Sequence, residues 1–181
     1  ARMNRVRDSI GVYTRALKLA PNEPGLLLNL GLAHLKRSDH NAARPLFERL
    51  AKLAPPTTQV RELLATTRIY TGAAAEALTD LHELRKQESY NSGVLYLIAI
   101  ANLKRNDKAA AGEAFTELLR VLRPAPAHML TGKAYFENGL IDDALAEFKA
   151  ALAADASLPG IHLELGRTYA SLRDQENAVR E

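Results

Sequence analysis

Residues 130–152 read LTGKAYFENGLIDDALAEFKAAL, two amphipathic segments around a turn. In the first, Gly132 and Tyr135 share one helix face; in the second, Ala144, Phe148 and Ala151 do. Gly139 lies between the segments, where a chain reversal needs a residue that tolerates left-handed backbone. Small residues let two helix backbones approach, and Phe148 fills the space beside them. The stretch therefore predicts an antiparallel helical hairpin bent at Gly139.

Copies of this hairpin run through the chain. The Ala144 column reads Ser9, Ala43, Ala77, Ala111, Ala144, Ala178, at spacings of 34, 34, 34, 33 and 34. The Phe148 column reads Tyr13, Phe47, Leu81, Phe115, Phe148 at the same spacings as far as it goes. The Gly132 column reads Gly31, Ala65, Ala99, Gly132, Gly166, small throughout. Three columns keeping one period specify a solenoid, in which each hairpin needs its neighbours to bury its apolar face.

The period and its small, aromatic and proline columns resemble the tetratricopeptide repeat. The best-matching sets are Leu165-Gly166 with Tyr169, Gly132 with Tyr135, Ala144 with Phe148 and Ala151, and Leu30-Gly31 with Ala43, Phe47 and Pro55. The resemblance covers essentially the whole chain. It departs from the pattern early in the first helices, where the expected large aromatic is Leu27, Arg61, Leu95, His128 and His162. The closing proline stands at Pro21 and Pro55 and is replaced by Ser89 and Ala156. The resemblance implies an all-α fold, a right-handed superhelix of antiparallel helix-turn-helix repeats.

As a single array over 1–181, the chain divides into a second helix at 4–20, complete hairpins at 24–57, 58–91, 92–124 and 125–158, and a truncated repeat at 159–181. Ser38-Asp39, Asn106-Asp107 and Asp142-Asp143 supply cap-competent residues at second-helix starts. Lys36-Arg37 and Lys104-Arg105 fall at first-helix C-termini, where cations complement the helix dipole; this reading is preferred to a phosphate site. One residue is missing between Phe115 and Gly132, beside Pro124 and Pro126, which predicts an irregular link near 123–127. A tolerated insertion or deletion is preferred there to a hinge.

Composition removes several function classes. The chain has 181 residues, 47% of them hydrophobic, enough for a continuous core. It has no Cys, so disulfides, thiolate metal sites and cysteine catalysis are excluded within it. A net charge of +3 forces neither a nucleic-acid nor a membrane partner. The longest apolar run, Val94 to Leu103, is interrupted by Asn102 and falls short of a membrane span. The start, ARMNRVRDS, lacks the apolar core of a signal peptide. The sequence reads as a piece of something longer, so the compartment, cytoplasmic or periplasmic, is left open. Its Ala- and Arg-rich usage suggests a bacterial source.

No catalytic, cofactor or metal site is expected. His34, His40, His82, His128 and His162 form no HExxH or close ligand pattern and fall at packing columns or helix surfaces. Thr131-Gly132-Lys133-Ala134 lacks the upstream Gly and final Ser/Thr of a phosphate loop. Asp142 and Asp143, adjacent on a helix, point about 100° apart and are expected to cap it rather than converge on a substrate.

The resemblance implies that first helices line a concave groove that takes extended peptides or helices. Its lining should lie three before, one after and four after the Gly132 column. That stripe reads Leu28, Leu32, Leu35; Glu62, Thr66, Ile69; Tyr96, Ile100, Leu103; Met129, Lys133, Phe136; Leu163, Arg167, Ala170, with Tyr70 at its border. At the slots where chaperone-binding members hold a carboxylate clamp stand Leu28, Leu32, Leu63, Gly93 and Leu97. Where the related pentatricopeptide repeats read RNA stand Leu28, Tyr96, Met129 and Leu163. The expected ligand is an apolar or amphipathic protein segment, each well-buried Leu or Phe contributing roughly 1.5–3 kcal/mol before association costs.

Charge changes along the chain. Residues 1–57 carry 10 Lys/Arg and 4 Asp/Glu, residues 125–181 carry 5 and 9. Such a gradient orients a partner or favours head-to-tail contact, or is an accident of solvated faces. The reading is a non-enzymatic binding scaffold for a protein or peptide, without nucleic acid or membrane insertion. Its alternatives are self-association through the truncated terminal repeats and an accessory role in a larger enzyme or a secretion or assembly complex.

Overall fold

A computed structural model describes residues 2–53 and 55–173, with side chains from residue 6 onward. Among these residues there are ten α-helices and no strand: α1 (Arg2–Leu19), α2 (Pro24–Leu35), α3 (His40–Leu53), α4 (Thr58–Tyr70), α5 (Ala74–Gln87), α6 (Ser92–Lys104), α7 (Lys108–Val121), α8 (Pro124–Glu137), α9 (Ile141–Ala154) and α10 (Ile161–Ser171). Ala178, expected in the small-residue column, lies outside the described residues, as does the rest of 174–181.

The chain falls into two compact units divided between Gln87 and Glu88, at the end of an expected repeat. In unit 1, α2–α3 and α4–α5 are hairpins, α1 packs on α2, and α3 packs on α4. In unit 2, α6–α7 and α8–α9 are hairpins, and α8 touches both α6 and α10. Within each unit, successive pairs are joined through a second helix packed on the following first helix.

The turns inside the hairpins share one backbone device. Ser38, Gly72, Asn106 and Gly139 have φ of 57°, 86°, 61° and 76°. A left-handed residue ends each first helix, and Gly or Asn is the residue for which that costs least. Asp39 Oδ1 then accepts from Ala42 N at 3.1 Å and Asp107 Oδ1 from Ala110 N at 3.0 Å, capping α3 and α7. First helices are capped too: Thr57 Oγ1 accepts from Val60 N at 3.4 Å, and Asn91 Oδ1 accepts from Gly93 N at 2.9 Å.

Two sequence expectations are corrected here. Asp142 and Asp143 do not cap α9: the cap position is Leu140, without a side-chain bond, and both carboxylates stand in the first turn. There they complement the helix dipole, and Asp143 also takes Lys108 Nζ at 2.7 and 2.8 Å. The expected irregular link at 123–127 is instead the start of α8. Pro124 occupies the first helical position, where its missing N–H has no bond to lose.

The core follows the repeat columns. Ala43, Phe47, Ala77, Leu81, Ala111, Phe115, Ala144 and Phe148 are at most 3% exposed. The approach between helices is closest where the column holds glycine. A Cβ added to Gly31 would lie 2.6 Å from the Phe47 ring, and one added to Gly132 would lie 2.6 Å from the Phe148 ring.

Candidate partner-binding surface

In unit 1, the α2 part of the stripe is partly open. Leu28 and Leu35 pack against the core cluster of Ala43, Phe47 and Leu64 and are only partly buried. Leu32 and Leu35 also line a cleft of about 430 Å³ between α2 and α1, opposite Val6 and Tyr13. On α4, Glu62 and Thr66 are half-buried, and Thr66 Oγ1 donates to the Glu62 carbonyl at 2.8 Å. Ile69 is buried and gives a partner little surface. Tyr70, 39% exposed, stacks on His40 with ring centroids 4.4 Å apart. Burial pushes the His40 imidazole below its ordinary pKa, and the Asp39 carboxylate opposes that shift.

In unit 2, the stripe splits. Ile100, Leu103 and Met129 are buried, whereas Tyr96 is half-buried. The reason lies in α6, which is apolar around its circumference from Val94 to Leu103 and buries all of that run except Tyr96. A rule that selects one face of such a helix does not select an open face. Further on, Lys133 and Phe136 are half-buried, Arg167 is exposed, and Leu163 is 66% exposed. Around this part of the stripe the polar contacts converge on one carboxylate. Lys133 Nζ lies 3.4 Å from Glu164 Oε1, Arg167 donates to Glu164 Oε2 at 3.0 Å, and the Arg167 guanidinium lies 5.2 Å from the Phe136 ring centre. Glu164 falls outside the expected stripe; its position two before Gly166, between Leu163 and Arg167, is the available signal.

Two histidine–carboxylate contacts also lie outside the sequence pattern. His128 Nδ1 is 2.7 Å from Glu147 Oε2, and His34 Nδ1 is 3.3 Å from Asp39 Oδ2. The first joins α8 to α9 across 19 residues, too far in sequence for a ligand-spacing rule to find. Burial, with help from Glu147 and Asp143, raises the pKa of the nearby Tyr135 phenol. Among the described residues, no three His, Asp or Glu side chains gather as a metal site would require. No helix among them is long and apolar enough to cross a membrane.

Helical hairpins in 34-residue register, each closed by a small-residue and aromatic contact, define a repeat scaffold. Sequence families described as tetratricopeptide repeats match residues 1–56 and 132–172, together a little over half of the chain. The chain belongs to the tetratricopeptide repeat family. Human tetratricopeptide repeat protein 13 is 30% identical over 173 residues, which are 90% of this chain and 19% of that protein. The chain thus spans about a fifth of the length of this curated relative. A thermophilic tetratricopeptide repeat protein of Thermus thermophilus superposes with a TM-score of 0.67 and 25% identity, over 87% of each chain. One from Parabacteroides merdae gives 0.79 at 15% identity, over 98% of this chain and 70% of that one. Proteins of this architecture generally serve as non-catalytic scaffolds, and the neighbours support a general role in protein–protein interaction.

Proposed function

We propose that the chain is a non-catalytic scaffold that binds an apolar or amphipathic peptide or helix on the faces of its first helices. The observation that carries this reading is the position of Leu32 and Leu35, which line an open cleft with Tyr13 and Val6. Burial of apolar side chains there supplies affinity, and sparse polar groups set orientation. Unit 2 offers the same chemistry independently. Leu163 is exposed and Phe136 half-exposed, beside the cations Lys133 and Arg167. Its site residues are accordingly the accessible members of the stripe: Leu28, Leu32 and Leu35 on α2, Glu62, Thr66 and Tyr70 on α4, Tyr96 on α6, Lys133 and Phe136 on α8, and Leu163 and Arg167 on α10.

Panning a library of random peptides against the chain tests this. Enriched sequences are expected to be rich in Leu, Ile and Phe. Leu32→Asp and Phe136→Ser are each expected to weaken their own subset of binders about tenfold or more while circular dichroism stays unchanged. No enrichment, or binding unaltered by both substitutions in folded protein, overturns the reading. A second reading, self-association, draws on the basic character of residues 1–57 and the acidic character of 125–181. A concentration-dependent dimer that dissociates in high salt would support it; a monomer at all concentrations would end it. The length of the human relative accommodates either reading within a larger protein.

A further inference from the structure

The cleft between α1 and α2 has one wall formed by Val6, Ser9 and Tyr13, and another that includes Leu32, Leu35 and Lys36. Repeat register shows what normally occupies this position. Ser9 holds in α1 the place that Ala43, Ala77, Ala111 and Ala144 hold in the other second helices, and Tyr13 that of Phe47, Leu81, Phe115 and Phe148. Those eight side chains are at most 3% exposed. Each faces the small-residue column of its own first helix, most closely at Gly31 over Phe47 and Gly132 over Phe148. Ser9 and Tyr13 are only half-buried, and the cleft opens beside them.

We propose that this cleft seats an α-helix of a partner protein, with a Gly or Ala packed on Tyr13 and an acidic side chain within reach of Lys36. The proposal rests on the reading that first-helix faces bind a segment, and it narrows that segment's conformation and composition. A helix satisfies its own backbone. An extended peptide would turn N–H and C=O groups toward Val6, Tyr13, Leu32 and Leu35, where desolvation without a partner is costly. The groove between two packed helices also takes the ridge of a third. A small residue is needed because an aromatic of this column leaves no room for a side chain opposite it, as the 2.6 Å approaches at Gly31 and Gly132 show. The acidic preference follows from Lys36 at the cleft and from the 10 Lys/Arg against 4 Asp/Glu of residues 1–57.

The probe is a labelled, stapled peptide with the sequence of residues 124–137 carrying Lys133→Glu. It supplies a glycine three residues before a tyrosine, together with an acidic neighbour. Fluorescence anisotropy with the 181-residue chain is expected to show saturable binding. Gly132→Leu in the peptide is expected to weaken it about tenfold or more, as are Tyr13→Asp and, on the opposite wall, Leu32→Glu in the chain. Val12→Asp, on a side chain 52% exposed and outside the cleft, should leave it unchanged. Equal binding of the Gly132→Leu peptide, or no saturable binding, overturns the proposal. If the random library yields binders that depend on Leu32 but stay non-helical when bound, the broader reading survives and this one does not. If the library yields none, both fall. A Tyr13-dependent dimer of the chain alone in sedimentation velocity would replace the partner with a second copy and overturn the assignment to a different protein.

Discussion

Gly132 and Phe148 approach more closely than any side chain at 132 would allow. A Cβ built on Gly132 stands 2.6 Å from Cε1 and 2.7 Å from Cδ1 of the Phe148 ring. The ring is fully buried and has nowhere to swing. Alanine is the better helix former by about 1 kcal/mol, yet Gly132→Ala should destabilise the protein by about 1–3 kcal/mol through overpacking. Urea unfolding provides the measurement. In a double-mutant cycle with Phe148→Leu, which makes room at the ring, the combined loss should be smaller than the sum. Strict additivity would show that the two residues do not act through this contact.

The left-handed turn positions make a second set of predictions. Ser38 and Asn106 adopt φ of 57° and 61° where Gly72 and Gly139 adopt 86° and 76°. A side chain in this region costs roughly 1–2 kcal/mol, less for Asn. Gly139→Ala should therefore destabilise by about 1 kcal/mol, although nothing lies within 4 Å of its added Cβ. Ser38→Gly should stabilise by several tenths of a kcal/mol, and more than Asn106→Gly. Thermal melts of the three variants would check the order. A destabilised Ser38→Gly would mean that its side chain holds the turn in another way.

Much of this is legible in the sequence because the period transfers one hairpin's logic to the next. Knowing Gly132 and Phe148 is enough to place Gly31 against Phe47 and to expect a turn at Gly139. The cap of α9 is also within reach: Leu140 stands 33 residues after Asp107, at the spacing of that repeat. Local chemistry points to the Asp142-Asp143 pair instead, and register is the better guide. The surface is harder to read. A stripe three before, one after and four after the glycine column identifies a face, but what lies against that face depends on neighbouring helices. Ile69, Ile100, Leu103 and Met129 are buried for this reason, and in α6 the clue is a helix apolar on all sides. Pro124 reads as a breaker only when the rule for helix interiors is applied at a helix start.

Pro45 lies inside α3, with both a preceding and a following turn of helix. A proline there removes one backbone hydrogen bond and crowds the carbonyl four residues earlier. Its side chain is exposed, so replacing it removes little packing. Pro45→Ala should raise stability by about 1–3 kcal/mol, seen as a higher urea midpoint with an unchanged slope. An unchanged midpoint would show that α3 relieves the proline by local distortion.

The His40–Tyr70 stack makes unit 1 sensitive to mild acid. His40 Nδ1 is buried without a hydrogen-bond partner, and burial is the main cause lowering the imidazole pKa, with Asp39 acting against it. A base whose folded pKa lies below its unfolded value of about 6.5 favours the folded state while neutral. That contribution is fully present above the unfolded pKa and is lost as pH falls through the folded one. The urea midpoint should therefore decline from pH ~7 toward pH ~5, a window separated from the Asp39 carboxylate, whose own pKa is lowered chiefly by the Ala42 amide. His40→Phe keeps an aromatic ring against Tyr70 and cannot take up a proton, so its midpoint should change less over that window. Parallel pH profiles for the two proteins would assign the acid sensitivity to another group, with the His34–Asp39 contact at 3.3 Å the next to test by His34→Gln.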